Sequence, residues 1–243
     1  MKKLQFEDLG QMRYLACWNY QEEVFKSVIS RKIARRDEGE TTELPLPTSR
    51  LLFVEHPHVL TLGKSGDAEN VLVNPARLAE LGVDYFPINR GGDITYHGPG
   101  QLVAYPILDL DQYFTDIHKY LRTLEEAVIR TCADFGIEAG RIDGLTGVWV
   151  DVEKGFGARK ICAFGVKCSR WVTMHGLALN VNSDLNFFNL IVPCGITDRG
   201  VTSISKEIGR EVELDEVKPK LYAHLKELFE WEEVSDLDEN KLR

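Results

Sequence analysis

Two residue types in this chain have the chemistry to make and break acyl bonds: five cysteines, and a lysine, Lys160, at the head of an otherwise apolar run. A thiol attacks carbonyl carbon as the thiolate, a form that a neighbouring ammonium favours. Cys17 and Cys132 fall on the apolar faces of predicted helices and read as core packing. Cys162 and Cys168 share an expected strand face with Lys160, Phe164 and Val166, which predicts that both are buried. Cys162, two places from Lys160 and therefore about 7 Å along that strand, is a rival nucleophile. Cys194 sits in Ile191-Val192-Pro193-Cys194-Gly195-Ile196, where proline and glycine take it out of regular structure. That setting suits a thiol facing a cleft, and equally a small residue in a tight turn. Lys160 also has two readings: a buried amine that exchanges protons near neutral pH, or a strand-end lysine reaching solvent. The long stretch of chain between Lys160 and Cys194 leaves their proximity open.

The densest signal is Arg90-Gly91-Gly92-Asp93-Ile94-Thr95-Tyr96-His97-Gly98-Pro99-Gly100-Gln101. Glycines let a backbone approach a ligand closely, and Arg90 and His97 add donors beside them. The same glycines would serve a structural turn; the flanking polar and aromatic residues favour a ligand loop. No Gly-Lys-Ser/Thr follows and no predicted helix opens there, so the loop is neither a phosphate loop nor a dinucleotide fingerprint. His175, in His175-Gly176-Leu177-Ala178-Leu179-Asn180, is either a group that orients substrate or a satisfied core histidine. Cys162, Cys168 and His175 lack the paired spacing of a zinc site, so no metal is expected.

These residues need elements to hold them. Apolar spacing predicts helices over Tyr14–Arg36, Pro75–Leu81, Asp116–Phe135 and Asp215–Trp231. Strands are predicted at Leu51–Glu55, Val59–Leu62, Asp84–Ile88, Gln101–Leu110, Gly147–Val152, Lys160–Cys168 and Val172–Val181. Lys160–Cys168 is apolar on both pleat faces, as a central strand is. Pro106 places its strand at an edge or marks a strand end. Asp37–Pro45 reads as a mobile loop, and the last dozen residues as a frayed tail. Helices and strands do not alternate as βαβ units, which predicts one α+β domain with a mixed or antiparallel sheet.

With 243 residues, 44% apolar and 28% charged, the chain is long enough to bury a core without staples. The odd cysteine count fits no small disulfide framework and points to a reducing cytoplasm. No secretory signal or membrane span is expected. The formal charge of −9, from 29 Lys+Arg against 38 Asp+Glu, argues against general nucleic-acid binding.

Taken in order, four segments resemble the lipoyl(octanoyl) transferase family: Arg90-Gly91-Gly92-x-x-Thr95-Tyr96-His97-Gly98-Pro99-Gly100-Gln101, Lys160-Ile161-x-Ala163-x-Gly165, His175-Gly176-x-Ala178-Leu179-Asn180 and Pro193-Cys194-Gly195-Ile196. Asp93, Cys162 and Phe164 occupy variable places within them, and Glu38–Leu44 looks like an insertion. The resemblance implies a single α+β domain over residues 1–243, like the catalytic domain of biotin and lipoate protein ligases, with a mixed, mostly antiparallel sheet flanked by helices. It implies transfer of an octanoyl group from octanoyl-acyl carrier protein, whose phosphopantetheine bears the chain, to a lysine of a lipoyl domain. Those domains belong to 2-oxoacid dehydrogenase complexes and the glycine cleavage H protein, and the transfer opens endogenous protein lipoylation. The residue at Cys194 would form the acyl-thioester, and the one at Lys160 would lower that thiol's pKa. Arg90, Gly91, Gly92, Asp93, Ile94, Thr95, Tyr96 and His97 would line the acyl site. So would Ala163, Phe164, Gly165, Gly176, Leu177 and Ala178. No ATP or metal is expected, and the protein would be a cytoplasmic monomer.

An ATP-dependent lipoate or octanoate ligase on the same fold, a thioesterase and a non-catalytic acyl-binding domain are the alternatives; Pro193-Cys194-Gly195 favours the transferase. Since the carrier is acidic and so is this chain, docking calls for a basic rim drawn from Arg50, Lys64, Arg159, Lys167 or Arg170.

Overall fold

The computed structural model describes residues 2–39, 44–192 and 200–234. Among them, four neighbouring strands with apolar residues on both faces build the middle of a nine-stranded sheet. β2 (Ser49–Glu55), β6 (Gln101–Ile107), β10 (Val172–Asn180) and β9 (Arg159–Ser169) lie side by side and antiparallel. β1 (Lys3–Gln11) runs parallel to β2, and the short β12 (Glu232–Glu233) lies beyond it. On the other side come β8 (Leu145–Val150) and the edge strand β7 (Ala139–Ile142). β11 (Gly200–Val201) pairs in parallel with the start of β9.

Successive residues of a strand point to opposite faces, and both faces of this sheet are covered. Leu51, Phe53, Leu102, Leu177 and Leu179 meet α3 (Ile117–Ala133) and α5 (Leu214–Phe229). Their neighbours Leu52, Val54, Val103, Tyr105 and Ala178 meet α1 (Tyr14–Glu38) through Cys17, Phe25 and Val28. A second sheet, β4 (Asp84–Pro87), β3 (Val59–Leu62) and β5 (Ile94–His97), carries the glycine segment between β4 and β5. The short α2 (Pro75–Glu80) packs here, begun by Pro75 and capped by the Asn74 side chain on the Arg77 N–H.

The sheet is mixed with mostly antiparallel pairs, as expected, and the long helices lie within a few residues of their predicted bounds. Several elements had no sequence signal. β1 carries polar residues through most of its length, with only Leu4 and Gln5 buried. β5 lies inside the glycine segment, and β7, β11, β12 and the one-turn α4 (Ile204–Ile208) are too short for periodicity. Of the expected frayed tail, Glu232 and Glu233 form β12 and pair with β1, and 235–243 lie outside the described residues. Of the expected mobile loop, Asp37 and Glu38 complete α1, and 40–43 lie outside the described residues.

Pro106 lies next to the end of β6, one of the two expected places, and not at a sheet edge, for β6 is interior. Its carbonyl faces β10 and accepts from Thr173 Oγ1 at 2.8 Å, so its missing N–H faces the same way. There the β6–β10 ladder is already interrupted: it runs from Gln101 to Ala104, and His175 on β10 has φ +61°. The proline matches a stretch in which the partner strand offers no regular acceptor.

Gly176 sits in that interruption, where a Cβ would lie 2.1 Å from the Ala104 carbonyl oxygen. Backbone on a central strand cannot step aside, so Gly176→Ala should lower the unfolding free energy by about 1–3 kcal/mol. Urea denaturation followed by circular dichroism reads this; an unchanged midpoint would show that β6 and β10 separate freely there.

Candidate active site

Small residues on β9 and β10 open a trough on the sheet. Ala163 pairs directly with Ala178, and Gly165 with Gly176. The glycine segment lies over this trough and encloses a cavity of about 360 Å³. Gly165 makes the approach possible, since a Cβ there would stand 2.7 Å from Arg90 Cδ. The Gly91 N–H donates to the Val166 carbonyl at 2.9 Å, which ties the loop to the sheet. Arg90 is largely a builder of this loop: Nη2 donates to the Thr61 carbonyl and hydroxyl, and Nη1 to the Gly91 carbonyl. Asp93 accepts from the Ile94 N–H and from Asn70 Nδ2, joining the loop to the segment before α2.

The loop residues Arg90 to Thr95 and His97 line the cavity, as do Lys160, Ala163 to Gly165 and His175 to Ala178. Tyr96, expected with them, points elsewhere. Alternation along β5 sends its ring into a separate cluster, stacked on Phe187 at 5.3 Å and hydrogen-bonded to His58 at 2.8 Å.

Lys160 reaches the cavity because β9 is bulged. Val148 pairs with Cys162 and Trp149 with Lys160, so one residue is inserted on β9 between them. The insertion breaks the assumed alternation. Lys160 joins Ala163 and Gly165 at the cavity, whereas Ile161 and Cys162 both enter the core under α3. Cys162 is therefore not a rival nucleophile: it is fully buried, and desolvation holds its thiol well above the ordinary range. Cys168, expected to be buried, is exposed near the β9–β10 turn. Lys160 Nζ stands over the Trp149 ring, 4.6 Å from its centroid, a face that attracts an ammonium. Gly147 (φ +141°) leaves room for this side chain, for a Cβ would lie 3.1 Å from Lys160 Cε.

Cys194 lies outside the described residues, but both flanks of its segment are tied down. On one side, Val192 N–H donates to the Asn70 carbonyl and Ile191 bridges to Val71. On the other, Gly200 and Val201 pair with Arg159 and Lys160. A buried hydrogen-bond chain holds this second flank. His97 Nδ1–H donates to Gln101 Oε1 at 2.8 Å, and Gln101 Nε2 donates to Asn180 Oδ1 at 2.9 Å. Asn180 Nδ2 donates to the Thr202 carbonyl at 2.9 Å, and Thr202 N–H to the Lys160 carbonyl at 2.9 Å. Glu207 accepts from the Thr202 hydroxyl and from Arg159.

Three buried imidazoles stand at the cavity: His97 and His175 in its lining, and His56 next to His97. Desolvation pushes His56 down to about 4 and His97 and His175 down to about 3. His175 donates from Nε2 to Asn89 Oδ1 at 3.1 Å, which leaves Nδ1 as a buried acceptor with no partner among the described residues.

The basic rim does not take the expected form. Arg50 is paired with Glu7, Lys167 with Glu22, and Arg159 with Glu207 and Asp151. Arg170, at the β9–β10 turn, is about 30 Å of strand from Lys160. Lys64 keeps an exposed side chain beside the loop, with its N–H on the Arg90 carbonyl. Sequence reasoning also missed Tyr14, Trp149, Gly147 and Glu125. Only Glu125 left a trace: a carboxylate within the apolar stripe Leu121, Leu124, Val128.

Residues 13–226 match the family model described as the lipoyl protein ligase A/B catalytic domain. A curated octanoyltransferase of Flavobacterium johnsoniae is 60% identical over 96% of this chain and 99% of its own. One of Bacteroides thetaiotaomicron is 49% identical over 91% and 93%. A solved bipartite lipoate protein ligase from Thermoplasma acidophilum superposes with a TM-score of 0.67 at 18% identity, covering 100% of this chain and 91% of that one. That likeness shows the fold.

The three imidazoles make stability depend on pH. Each takes a proton in the unfolded chain near its ordinary 6.5 and resists it when folded. Their contribution is complete above pH 6.5 and is lost as pH falls toward 4, at about 1.4 kcal/mol per pH unit for each proton. His97→Gln should remove about one proton from that slope. Urea titrations at several pH values check this; an unchanged slope would mean His97 is protonated in the fold.

Proposed function

The chain belongs to the lipoyl protein ligase A/B catalytic-domain family and is an octanoyltransferase; on that premise we propose that it carries the acyl group on Cys194, with Lys160 moving the protons. Lys160 accepts the Cys194 proton, and the thiolate attacks the carbonyl of a carrier thioester. The carrier thiolate leaves and recovers a proton from the Lys160 ammonium. One thioester replaces another, so little free energy changes and no nucleotide activation is needed. A lysine of a lipoyl domain then attacks as the free amine, gives its surplus proton to Lys160 and expels the Cys194 thiolate. The amide formed is more stable than the thioester, which drives the transfer. Splitting the reaction this way is covalent catalysis.

The observation that carries this reading is the position of Lys160. It lies at the cavity, over Trp149, on the strand with which Gly200 and Val201 pair. The cavity has the scale of a small-ligand pocket, about 300–1,000 Å³, and its floor pairs Ala163 with Ala178 and Gly165 with Gly176. An apolar chain fits such a floor. The donor is octanoyl-acyl carrier protein, and the acceptors are lipoyl domains of 2-oxoacid dehydrogenase complexes and the glycine cleavage H protein. The protein acts as a cytoplasmic monomer without metal or ATP. No helix among the described residues is long and apolar enough to cross a membrane. The ligase alternative is less well supported: close relatives are named octanoyltransferase, whereas the ligases resemble this chain at under 20% identity.

Purified protein, octanoyl-acyl carrier protein and an apo lipoyl domain, mixed without nucleotide, should yield a domain bearing one octanoyl amide by intact mass. Cys194→Ala should abolish the product and Lys160→Ala should slow it by about a hundredfold or more. Labelling that instead requires ATP and free octanoate would make the protein a ligase. Release of octanoate with no need for a domain would make it a thioesterase.

A further inference from the structure

Lys160 can move protons only if its amine is held where the acyl group passes, and a flexible side chain on a strand does not hold itself. Among the described residues, the Trp149 ring lies beneath Nζ, and the bare face of Gly147 leaves room for Cε. Both belong to β8 and its approach, where Gly144, Leu145 and Thr146 also line the cavity. Gly147 adopts φ +141°, outside the ordinary strand region, so its placement depends on what its backbone bonds to.

Its N–H donates to Glu125 Oε1 at 3.0 Å, a contact between α3 and β8. Glu125 is 1% exposed, and a carboxylate so buried must be neutralised and fully bonded. Oε2 accepts from Arg122 at 2.6 Å and from Arg141 Nε at 3.1 Å. Arg141 in turn donates to the Arg122 carbonyl and to Glu126. Two guanidinium groups on α3 and β7 thus aim one carboxylate at one amide. A charge inside an apolar helix face is costly, and packing alone would be served by a leucine there.

We propose that Glu125 is the positioning residue of the proton-transfer site, setting Gly147 and through it the placement of the Lys160 amine over Trp149. It does not touch substrate; it keeps the wall against which Lys160 lies from shifting. The inference rests on the role proposed for Lys160. It goes beyond that role in naming a residue outside all four sequence motifs on which the same step depends.

The test uses a matched pair. Glu125→Gln and Glu125→Met both remove the charge and nearly preserve the volume, but only glutamine keeps an acceptor for the Gly147 N–H. Rates are taken per folded molecule, well below the melting temperature of either variant. Glu125→Met should slow octanoyl transfer about tenfold to a hundredfold with the donor KM nearly unchanged, as expected for a displaced catalytic group. Glu125→Gln, which keeps one acceptor oxygen for the Gly147 N–H, should be slowed clearly less. A second readout needs no turnover. Lysines dimethylated with ¹³C-formaldehyde are observed by NMR, with the Lys160 signal assigned through Lys160→Arg. The Trp149 ring current should shift that signal upfield in the wild type and in Glu125→Gln, and the shift should collapse in Glu125→Met. Equal rates and equal shifts in both variants would overturn the proposal, as would equal slowing with the shift intact. If the wild type transfers no octanoyl group, the proposed function fails, and the Lys160 signal still decides the positioning role.

Discussion

Asn180 joins parts of the site that lie far apart in the chain. It is 4% exposed, so neither end of its amide has water to fall back on. One end accepts from Gln101, which His97 orients from the glycine segment, and the other donates to the Thr202 carbonyl. Thr202 is also the residue whose N–H closes on the Lys160 carbonyl. An amide left unbonded in such a place costs about 1–3 kcal/mol, and here the loss would be passed along the chain of bonds. Loop, floor, Lys160 and the flank of the cysteine segment are therefore fixed relative to one another by complementary donors and acceptors. This gives a physical reason for three of the four motifs to occur together, and for the strand beyond the fourth to lie where it does.

A local irregularity aims the chemistry. With regular pairing, Lys160 would face the core beside Cys162, and Trp149 would have no cation above it. The inserted residue on β9 turns Lys160 to the trough and sends Ile161 and Cys162 inward together. Further along the same face, positive φ at His175 and the proline at position 106 disturb neighbouring strands at the same level. The sheet supplies rigidity, and its departures from regularity decide which side chains reach the cavity.

Much of this was legible beforehand, and the failures have identifiable causes. Helices α1, α3 and α5 were readable because each carries an apolar stripe several turns long. β9 was readable as an interior strand because both of its faces are apolar. The glycine segment apart from Tyr96, Lys160 and the β10 motif line one cavity, and beforehand only the resemblance to a known family joined them. The bulge was invisible because its signal, an extra apolar residue, is indistinguishable from a strand buried on both faces; that is why Cys162 looked like a neighbour of Lys160. Cys168 looked buried because strand periodicity does not reveal where a hairpin leaves its sheet. Three of the cations expected at a docking rim, Arg50, Lys167 and Arg159, are ion-paired, and their carboxylate partners, Glu7, Glu22 and Glu207, are remote in sequence.

On the proposed chemistry, the thiol of Cys194 and the amine of Lys160 are neighbours in the folded protein. Treatment with o-phthalaldehyde measures this directly, since it closes an isoindole only between a thiol and a primary amine lying side by side. The wild type should form one fluorescent bridge that peptide mapping assigns to Cys194 and Lys160, and neither Cys194→Ala nor Lys160→Ala should form it. A bridge from Lys160 to Cys162, or one that survives in Cys194→Ala, would contradict both the bulged register and the assignment of the nucleophile.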